Sequence, residues 1–582
     1  MNIKAIYNST RVLPLPAAFL SACAAVAGPL DPPPGPPAPT GRTLDQVEPS
    51  TPIEQFPATI NSPGVYHLTS NVVVSAQPVG ITINADDVTI DLRGFTLQGA
   101  NGSLSGIRCP QQRTNIRVID GILTGWANAA IDMPLARECQ VENIFATSNS
   151  DGIDVGFASI VRDCHVRDNG GAGILARAGS IVEACVAFNN TISGIVTEQE
   201  CIVRQCVSRS NGASVVPSPD NISQGDGIYV GADSLVEACV STDNTGDGVH
   251  AGANSSVAEC AVARNVLAGV LVEQGAVARS CAARDNVDEI IFQLNLRGLL
   301  LPRLFGGVVA GEGSTVVGCA TTNNLAAGVV GGRGSTVVAC TALNNGFTLP
   351  NGPAITDDRG NGLDPEFTFQ QSSVISGIAV SESADVRHCA VAQNASFGVF
   401  SLGGGVTEGC AIHMNGARGL VPRGFAIGDY SNGGVIAYQS GIVRSCAVSL
   451  NLGGPGVQLD DGLAERNCAT ENDVAGVYFS GAASIIQNLC VDNGNEIPAV
   501  ERGDPFDRGG IVIRGSAGRV DGNHVVDNAA GIATASGAGS NFVVRNSAQS
   551  NGLAPYVGFN SLNWGPIVNT LSPNPMANYR LP

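Results

Sequence analysis

Four polar side chains occupy matching positions in two neighbouring sequence repeats. Asp226 and Asp247 each lie two residues before a short apolar strand, and Tyr229 and His250 each take the second position of that strand. If the repeats stack, the two carboxylates should lie roughly 5 Å apart, with the phenol and the imidazole beside them. Two carboxylates with a histidine can act as a hydrolytic pair or bind Ca²⁺. We therefore predict Asp226, Asp247 and His250 as catalytic residues.

The two aspartates also have a purely structural interpretation. Each is followed by glycine, and Asp-Gly is common in tight turns, while other repeats carry Ala or Ser at this position. The Cys-x-x-Cys spacing typical of a zinc site does not occur in the chain. The sequence thus predicts no metal site and no cofactor, apart from the Ca²⁺ that paired carboxylates would suit.

The second position of the same strand forms a column along the chain. Its members are Asp154, Leu175, Val196, Tyr229, His250, Leu271, Val309, Val330, Ala379, Phe400, Ile436, Gln458, Tyr478 and Val512. This column points outward and is too apolar for a bare surface, so it is either covered by loops or forms the floor of a binding site. Tyr229, Phe400 and Tyr478, together with Phe367 of a nearby loop, are the predicted substrate-binding residues.

A fixed period positions these residues. Cys164, Cys185 and Cys206 follow one another at intervals of 21 residues, as do Cys239 and Cys260. About 21 residues are too few for a strand, a helix and two loops, whereas three short strands fit. The alternation in Gly-Ile228-Tyr-Val230 is that of a strand. We therefore predict an all-β solenoid with three strands in each coil.

Two ladders follow from this period. The cysteine column is predicted to contain Ile144, Cys164, Cys185, Cys206, Cys239, Cys260, Cys281, Cys319, Cys340, Cys389, Cys410, Cys446, Cys468, Asn488, Asn523 and Asn546. Five residues after each member stands Asn, with Asp473 as the exception. The Asn residues are expected to take the left-handed turn conformation and to bond from coil to coil. The cysteines are expected to be reduced core residues, because stacked Cβ vectors run parallel.

Cys and Asn ladders on coils of this length resemble the right-handed parallel β-helix of the pectate-lyase-like superfamily, over residues 55–570. The resemblance implies a single-stranded solenoid of about 16–20 coils. Members of this superfamily include lyases, hydrolases, epimerases, adhesins and inert scaffolds, so the resemblance implies no one activity. The segment from Asn149 to Asp154 also resembles the Asn-Thr-Asp-Gly motif of polygalacturonase-type hydrolases, but their Gly-His-Gly motif is missing.

Five insertions fall at the same turn of the coil. They follow Asn211, Asn286, Asn345, Asn415 and Asn493 and add 12, 17, 28, 15 and 13 residues, respectively. In a solenoid this places all of them along one edge, where such proteins often bind their ligands. The inserted residues include aromatic, acidic and arginine side chains that suit a carbohydrate groove. Alternatively, the aromatic residues only attach the loops to the barrel.

The composition excludes some classes of partner, and the N-terminal residues indicate where the protein is located. A formal charge of −19 argues against nucleic acid and anionic membranes as partners. Lys4 is the one lysine, so a mature chain has no lysine base. We divide the chain into an export signal at 1–27, a Pro-rich linker at 28–52, the β-helix at 53–570 and a C-terminal cap at 571–582. Cleavage is expected after Ala27, with lipid attachment at Cys23 as the alternative.

These patterns predict an exported, monomeric β-helix without a membrane-spanning segment. As a first hypothesis it is a cell-surface or extracellular scaffold that binds a polysaccharide through its loop-lined face. The alternative is a polysaccharide hydrolase or lyase that acts on the same face.

Overall fold

The computed structural model describes residues 50–581 except 76–78, 101, 213–224, 288–305, 347–375, 417–431, 496–507, 535–537 and 559–563. All regular elements among the described residues are β-strands, and most have three to five residues. The predicted export signal, the linker up to residue 49 and the loop residue Phe367 lie outside the described residues. The described residues contain no helix that is long and apolar enough to cross a membrane.

Each coil contributes three strands, and, except at the two ends of the stack, each strand pairs in parallel with its equivalents in the preceding and following coils. For example, Ile228–Val230 pairs with Val249–Ala251, and Leu235–Glu237 pairs with Ser256–Ala258. The third strand, Val240–Thr242, pairs with the next coil in the same way. The chain is therefore a parallel β-helix, and the predicted three-strand coil is confirmed.

We number the three stacks of strands in the order of one coil, beginning with the strand that carries Tyr229. Sheet 1 contains Ala58–Ile60, Val79–Ile83, Ser105–Arg108, Ala129–Arg137, Asp151–Phe157, Ile174–Ala176, Ile195–Thr197, Ile228–Val230, Val249–Ala251, Val270–Val272, Gly306–Ala310, Ala327–Gly331, Ile378–Val380, Phe397–Ser401, Gly433–Ala437, Val457–Leu459, Ala475–Phe479, Gly509–Ile513, Ile532–Thr534 and Tyr556–Val557.

Sheet 2 follows sheet 1 within each coil. It contains Thr51–Ile53, Gly64–Leu68, Val88–Asp91, Ile116–Thr124, Gln140–Thr147, Ile160–Arg162, Ile181–Glu183, Ile202–Arg204, Leu235–Glu237, Ser256–Ala258, Val277–Arg279, Thr315–Val317, Thr336–Val338, Asp385–Arg387, Val406–Glu408, Gly441–Arg444, Gly462–Glu465, Ala483–Ile486, Arg519–Asp521 and Phe542–Val544.

Sheet 3 completes the coil, and the strands Ile116–Thr124 and Gln140–Thr147 run through both sheets 2 and 3. Sheet 3 further contains Val72–Val74, Thr96–Gly99, His165–Arg167, Val186–Phe188, Val207–Arg209, Val240–Thr242, Ala261–Ala263, Ala282–Arg284, Ala320–Thr322, Thr341–Leu343, Ala390–Ala392, Ala411–His413, Ala447–Ser449, Cys468–Thr470, Leu489–Val491, His524–Val526, Ser547–Gln549, Ile567–Val568 and Asn578–Leu581.

The core fills the inside of the coil because side chains alternate along each strand. Sheet 1 buries its first and third residues, such as Ile228 and Val230. Sheets 2 and 3 bury the middle residue, such as Val236 and Ser241. The residue between the two buried ones, Tyr229 in this strand, consequently faces outward, and its equivalents in the other sheet 1 strands form the second-position column, as the sequence pattern predicted.

The tight turn after sheet 3 uses a residue that the sequence analysis did not single out. Asp243, with φ of 60°, takes the left-handed conformation, and the ladder residue Asn244 follows it. Asn189 and Ser210 do the same before Asn190 and Asn211. The expectation that the ladder Asn itself provides the left-handed conformation is wrong, because the preceding residue already reverses the chain.

The ladder Asn instead connects successive coils, as predicted. The backbone N–H and the Nδ2 of Asn244 both donate to Oδ1 of Asn265, at 3.1 and 3.0 Å. The Nδ2 of Asn265 also donates to the carbonyl of Ser241 at 3.1 Å. The ladder contains Asn149, Asn169, Asn190, Asn211, Asn244, Asn265, Asn286, Asn324, Asn345, Asn394, Asn415, Asn451, Asn472, Asn493, Asn528 and Asn551. Asn472, and not Asp473, is the member in its coil.

The cysteine column needs the same one-residue correction. The backbone N–H of Cys446 donates to Oδ1 of Asn467 at 3.0 Å, so Asn467 follows Cys446 in the column. Cys468 begins the next strand of sheet 3 and is half-buried. Asn467 and the later members then form a second Asn ladder, in which each amide oxygen accepts the backbone N–H of the preceding member of the column. The described cysteines are all free.

The C-terminal segment ends the stack. Trp564 makes a parallel bridge to Val543, and its ring lies edge-on to that of Tyr556 at a centroid distance of 6.1 Å. The strand Asn578–Leu581 pairs with Ser547–Gln549, so pairing continues beyond the boundary predicted at residue 570.

Candidate functional site

The outward face of sheet 1 changes from partly exposed to buried along the solenoid. Its second-position side chains are half-buried from Asp132 to Leu271, with the exception of the buried His250. From Val309 to Ala533 all of these side chains are buried. We call the outward face of sheet 1 from Asp132 to Leu271 the open stretch.

Two of the predicted substrate-binding residues lie beyond the open stretch. Phe400 has no exposed surface and packs against Phe397 and Tyr438, at ring centroid distances of 6.2 and 6.0 Å. Tyr478 is equally buried and packs with Val512. Because a fully buried ring offers no surface to a ligand, the prediction that Phe400 and Tyr478 form a binding floor is wrong. Both are packing residues.

The predicted acid–histidine group does assemble. Tyr229 and His250 are paired in register on neighbouring strands of sheet 1, and their rings meet edge-on at a centroid distance of 5.0 Å. The backbone N–H of Asp247 donates to Oδ1 of Asp226 at 2.7 Å, so the two aspartates occupy the same turn in adjacent coils. The stacking predicted for these four residues is confirmed.

The same hydrogen bonds support the structural interpretation of the aspartates. Oδ1 of Asp247 accepts the N–H of Ala268 at 2.8 Å, just as Oδ1 of Asp226 accepts that of Asp247. Asp151 uses its Oδ1 in this way for Ala172, in a coil that has Asp154 at the position of His250. One carboxylate oxygen of each aspartate thus stabilises the turn. The second oxygen of each carboxylate, Oδ2, is not part of this turn contact.

These Oδ2 atoms face the imidazole of His250. Its Nδ1 lies 3.5 Å from Oδ2 of Asp226 and 3.9 Å from Oδ2 of Asp247. Its Nε2 lies 3.2 Å from Oε1 of Glu273, a side chain of the following coil that is half exposed. The sequence analysis missed Glu273. The strand register could have revealed it, because Glu273 directly follows the strand that pairs with the strand of His250.

The group is almost completely shielded from solvent. Asp226 and Asp247 are 0% exposed and His250 is 1% exposed. Among the described residues, Oδ2 of Asp226 and Nδ1 of His250 have no hydrogen-bond partner, because 3.5 Å is the outer limit of such a bond. Buried polar atoms are rarely left in this state, since each costs about 1–3 kcal/mol.

Burial and mutual contact change the acidity of these groups. Burial raises the pKa of Asp226 to about 6, against a lowering effect of the nearby His250. Burial opposes the charged imidazole, but Asp226, Glu273 and Asp247 outweigh it and raise the pKa of His250 to about 9. The contact with His250 lowers the pKa of Glu273. Burial, followed by the carboxylates of Glu273 and Asp226, raises the pKa of Tyr229.

A second acidic group, which contains Asp154, lies in the open stretch on the N-terminal side of Tyr229. Oδ2 of Asp154 lies 3.9 Å from the guanidinium of Arg177, which also pairs with Glu198 at 3.0 Å. Burial raises the pKa of Asp154 to about 7, against the lowering effect of Arg177. The register places Asp154 three coils from Tyr229, or roughly 14 Å. Arg177 and Glu198 were not predicted, because the position directly after the sheet 1 strand has no constant residue type along the chain.

Among the described residues, Asp226, Asp247 and His250 form the group whose donor atoms are close enough to hold a metal ion, all within 4.8 Å of one another. Without an ion, the same group is an imidazole held between carboxylates, next to a partly exposed phenol.

Comparisons with known proteins agree with the fold. A family model described as right handed beta helix region matches residues 105–267, a range that contains Asp226, Asp247 and His250. The chain is a right-handed parallel β-helix. No curated protein matches its sequence.

Solved structures with a similar fold include enzymes that act on polysaccharides. The A-module of a mannuronan C-5 epimerase from Azotobacter vinelandii is 13% identical, with 60% of this chain and 87% of that chain covered and a TM-score of 0.33. A pectate lyase is 13% identical, with 54% and 68% covered and a TM-score of 0.25. An α-1,3-glucanase from Streptomyces thermodiastaticus is 10% identical, with 87% and 64% covered and a TM-score of 0.21.

Proposed function

We propose that the protein recognises an uncharged, linear polysaccharide along the open stretch. The observation that carries this proposal is the change in exposure on the outward face of sheet 1. Between Asp132 and Leu271 this face presents partly exposed side chains in a straight row, whereas beyond Val309 the row is buried. A straight row with one side chain per coil, about 4.8 Å apart, suits a linear polymer better than a compact ligand.

The chemistry of the row favours hydroxyl-rich sugars. Tyr229 offers a ring with a polar tip, and Leu175 and Val196 offer apolar surface between the two acidic groups. Carboxylates and the formal charge of −19 would repel a polyanion. An uncharged glycan can both pack on the apolar side chains and donate hydroxyl hydrogens to the carboxylates.

The experiment is a binding screen of uncharged and charged polysaccharides with two variants that each add a positive charge. Leu175→Arg places an arginine in the middle of the open stretch. Val240→Arg places one on the outward face of sheet 3, where Val240 is 40% exposed. We expect at least a tenfold weaker interaction for Leu175→Arg and unchanged binding for Val240→Arg. The proposal is wrong if no polysaccharide binds, or if both variants bind like the unmodified protein.

Catalysis on the bound glycan is a second candidate function. The observation that favours it is the position of Tyr229, because this partly exposed phenol at the open stretch contacts the buried His250. Tyr229→Phe keeps the ring but removes the hydroxyl group. If Tyr229 takes part in proton transfer, the variant should release product about 100-fold more slowly with binding intact. Binding without product release by the unmodified protein would leave recognition as the function.

We also propose that the protein is exported. The support is the sequence of residues 1–27, with a basic start, an apolar centre and Ala25-Val26-Ala27 before Gly28. Mass spectrometry of the protein from its native host should find Gly28 at the mature N-terminus. A lipid-modified Cys23 at that terminus would instead establish membrane anchoring, and an intact Met1 would exclude processing.

A further inference from the structure

Three donor atoms converge between two coils of sheet 1. Oδ2 of Asp226 and Nδ1 of His250 are 3.5 Å apart, and Oδ2 of Asp247 lies 3.9 Å from the same nitrogen. All three donors lie within 4.8 Å of one another. Ligand atoms held at about 2.1 Å from one ion lie roughly 3–4 Å apart. Small rotations of the carboxylates therefore suffice for all three atoms to contact one ion.

A second observation points to a ligand at this place. Oδ2 of Asp226 and Nδ1 of His250 are buried and lack a hydrogen-bond partner among the described residues, and both are directed at the centre of the group. The turn needs only Oδ1 of Asp226, which binds the N–H of Asp247. The coil geometry therefore does not explain why a second oxygen and an imidazole nitrogen are buried together.

Glu273 completes the arrangement that a metal-binding histidine requires. A histidine that binds a metal through one ring nitrogen almost always donates its other N–H to a carboxylate or carbonyl group. Nε2 of His250 lies 3.2 Å from Oε1 of Glu273. When an ion takes the place of the Nδ1 proton, this contact keeps the remaining proton on Nε2, and the lone pair of Nδ1 then faces the two aspartates.

The donor set distinguishes between metal ions. Ca²⁺ prefers six to eight oxygen ligands, whereas imidazole with carboxylates suits divalent first-row transition metals. We propose that Asp226, Asp247 and His250 bind one divalent ion of the Zn²⁺ class, with Glu273 as the positioning residue behind His250. The proposal is independent of glycan recognition, since it rests on the buried group alone.

Such an ion would join two neighbouring coils. Asp226 belongs to one coil, and Asp247 and His250 belong to the next. Because the unfolded chain does not hold these residues together, binding should stabilise the folded state. We expect the midpoint of thermal unfolding to rise by at least about 3 °C with saturating Zn²⁺ and not with Ca²⁺.

The experiment uses the purified full chain, stripped with a chelator and then titrated with Zn²⁺ or Co²⁺. We expect one tightly bound ion per chain by elemental analysis and, for Co²⁺, visible absorption bands that report nitrogen and oxygen ligands. Asp226→Asn keeps the Oδ1 that accepts the N–H of Asp247 and should lose the ion. Asp151→Asn changes the same turn position in a coil that has Asp154 at the position of His250, and this variant should retain the ion.

Glu273→Gln provides a milder test should Asp226→Asn fold poorly, because Glu273 is half exposed. This variant should bind the ion about 10–100-fold more weakly. The proposal is overturned if the unmodified chain binds no stoichiometric ion. It is equally overturned if Asp226→Asn and Glu273→Gln bind the ion as tightly as the Asp151→Asn control, because the ion would then lie elsewhere.

Discussion

At the scale of single residues, the outward carboxylates of sheet 1 reduce the stability of the folded state when they are charged. Asp154 is surrounded by the strand and its neighbours, its Oδ1 has no hydrogen-bond partner among the described residues, and Arg177 lies 3.9 Å from its Oδ2. Burial accordingly raises its pKa to about 7, against the lowering effect of Arg177. The folded state thus binds the proton of Asp154 more tightly than the unfolded state does.

This difference predicts a pH-dependent effect of Asp154→Asn. Between pH 4 and pH 7 the folded state holds more protons at this position, so the contribution of Asp154 to stability decreases as the pH rises. Asp154→Asn has no ionisable group at this position, so its stability does not decrease in this way as the pH rises. We expect Asp154→Asn to be more stable than the unmodified protein at pH 8, by roughly 2–4 kcal/mol, and nearly equal to it at pH 4.

Urea unfolding at the two pH values measures the effect. Asp163→Asn, at the exposed turn after the sheet 2 strand of the same coil, is the matched control and should leave the pH dependence unchanged. A stability difference between Asp154→Asn and the unmodified protein that is the same at pH 4 and pH 8 would contradict the argument.

The Asn ladder allows a comparison between adjacent residues. Asn190 is buried, receives two hydrogen bonds from Asn169 and donates two to Asn211. Its neighbour Asn189 is exposed and takes the left-handed turn conformation. Asn190→Ala leaves buried amide groups without partners, so we expect it to cost about 3 kcal/mol. Asn189→Ala should cost about 1 kcal/mol, through the left-handed backbone. Equal losses in urea unfolding would count against the ladder as a source of stability.

At the scale of elements, spacing predicted more than residue type did. The period of 21 residues and the i, i+2 alternation predicted the three strands of each coil, and the structure confirms them. The error at Cys468 arose because a familiar residue type was preferred to the period, and the error at Asp473, five residues later, followed from it. Cys446 to Asn467 is 21 residues, and Asn467 to Asn488 is again 21.

The candidate site was predictable only in part. The register alone brought Tyr229 next to His250 and Asp226 next to Asp247. The register also places Glu273 in the coil next to His250, but their contact depends on how far an exposed side chain reaches back across a coil, which the spacing does not show. The end of the open stretch near Leu271 was equally unpredictable, because the outward column reads as apolar on both sides of it. Burial there depends on tertiary contacts and not on the strand pattern.

The outward face of sheet 2 carries a row of alternating charges that supports the register. Glu142 contacts Arg117 at 2.7 Å on one side and Arg162 at 2.5 Å on the other, and these contacts, first of all that with Arg117, lower its pKa. Glu142→Gln should lower stability by about 1 kcal/mol at low salt and by much less at high salt. Urea unfolding at two salt concentrations tests this, with Glu138→Gln at an exposed turn as the control. A loss that does not depend on salt would indicate a packing defect instead.

At the scale of the whole molecule, each coil contacts mainly the coil before it and the coil after it. Such a solenoid behaves as a one-dimensional chain, in which a change affects the nearest coils most and the end coils open most easily. Variants of the acid–histidine group should therefore leave distant coils intact. The end of the stack is more vulnerable, because among the described residues it is shielded by Trp564, Tyr556 and the short final strands instead of a further full coil.

Trp564→Ala tests this one-dimensional behaviour. Trp564 contacts Val543 and Tyr556 and packs against the core, so its removal exposes the last coil. We expect the free energy of local opening to fall by about 2 kcal/mol at Phe542–Val544. Amide hydrogen exchange followed by mass spectrometry should show faster exchange there and in the adjacent coil. Exchange at Val249–Ala251 should stay as in the unmodified protein, so that each molecule contains its own control. Equal acceleration along the whole solenoid would mean that the coils unfold as one unit, and the independence assumed for the site variants would then be lost.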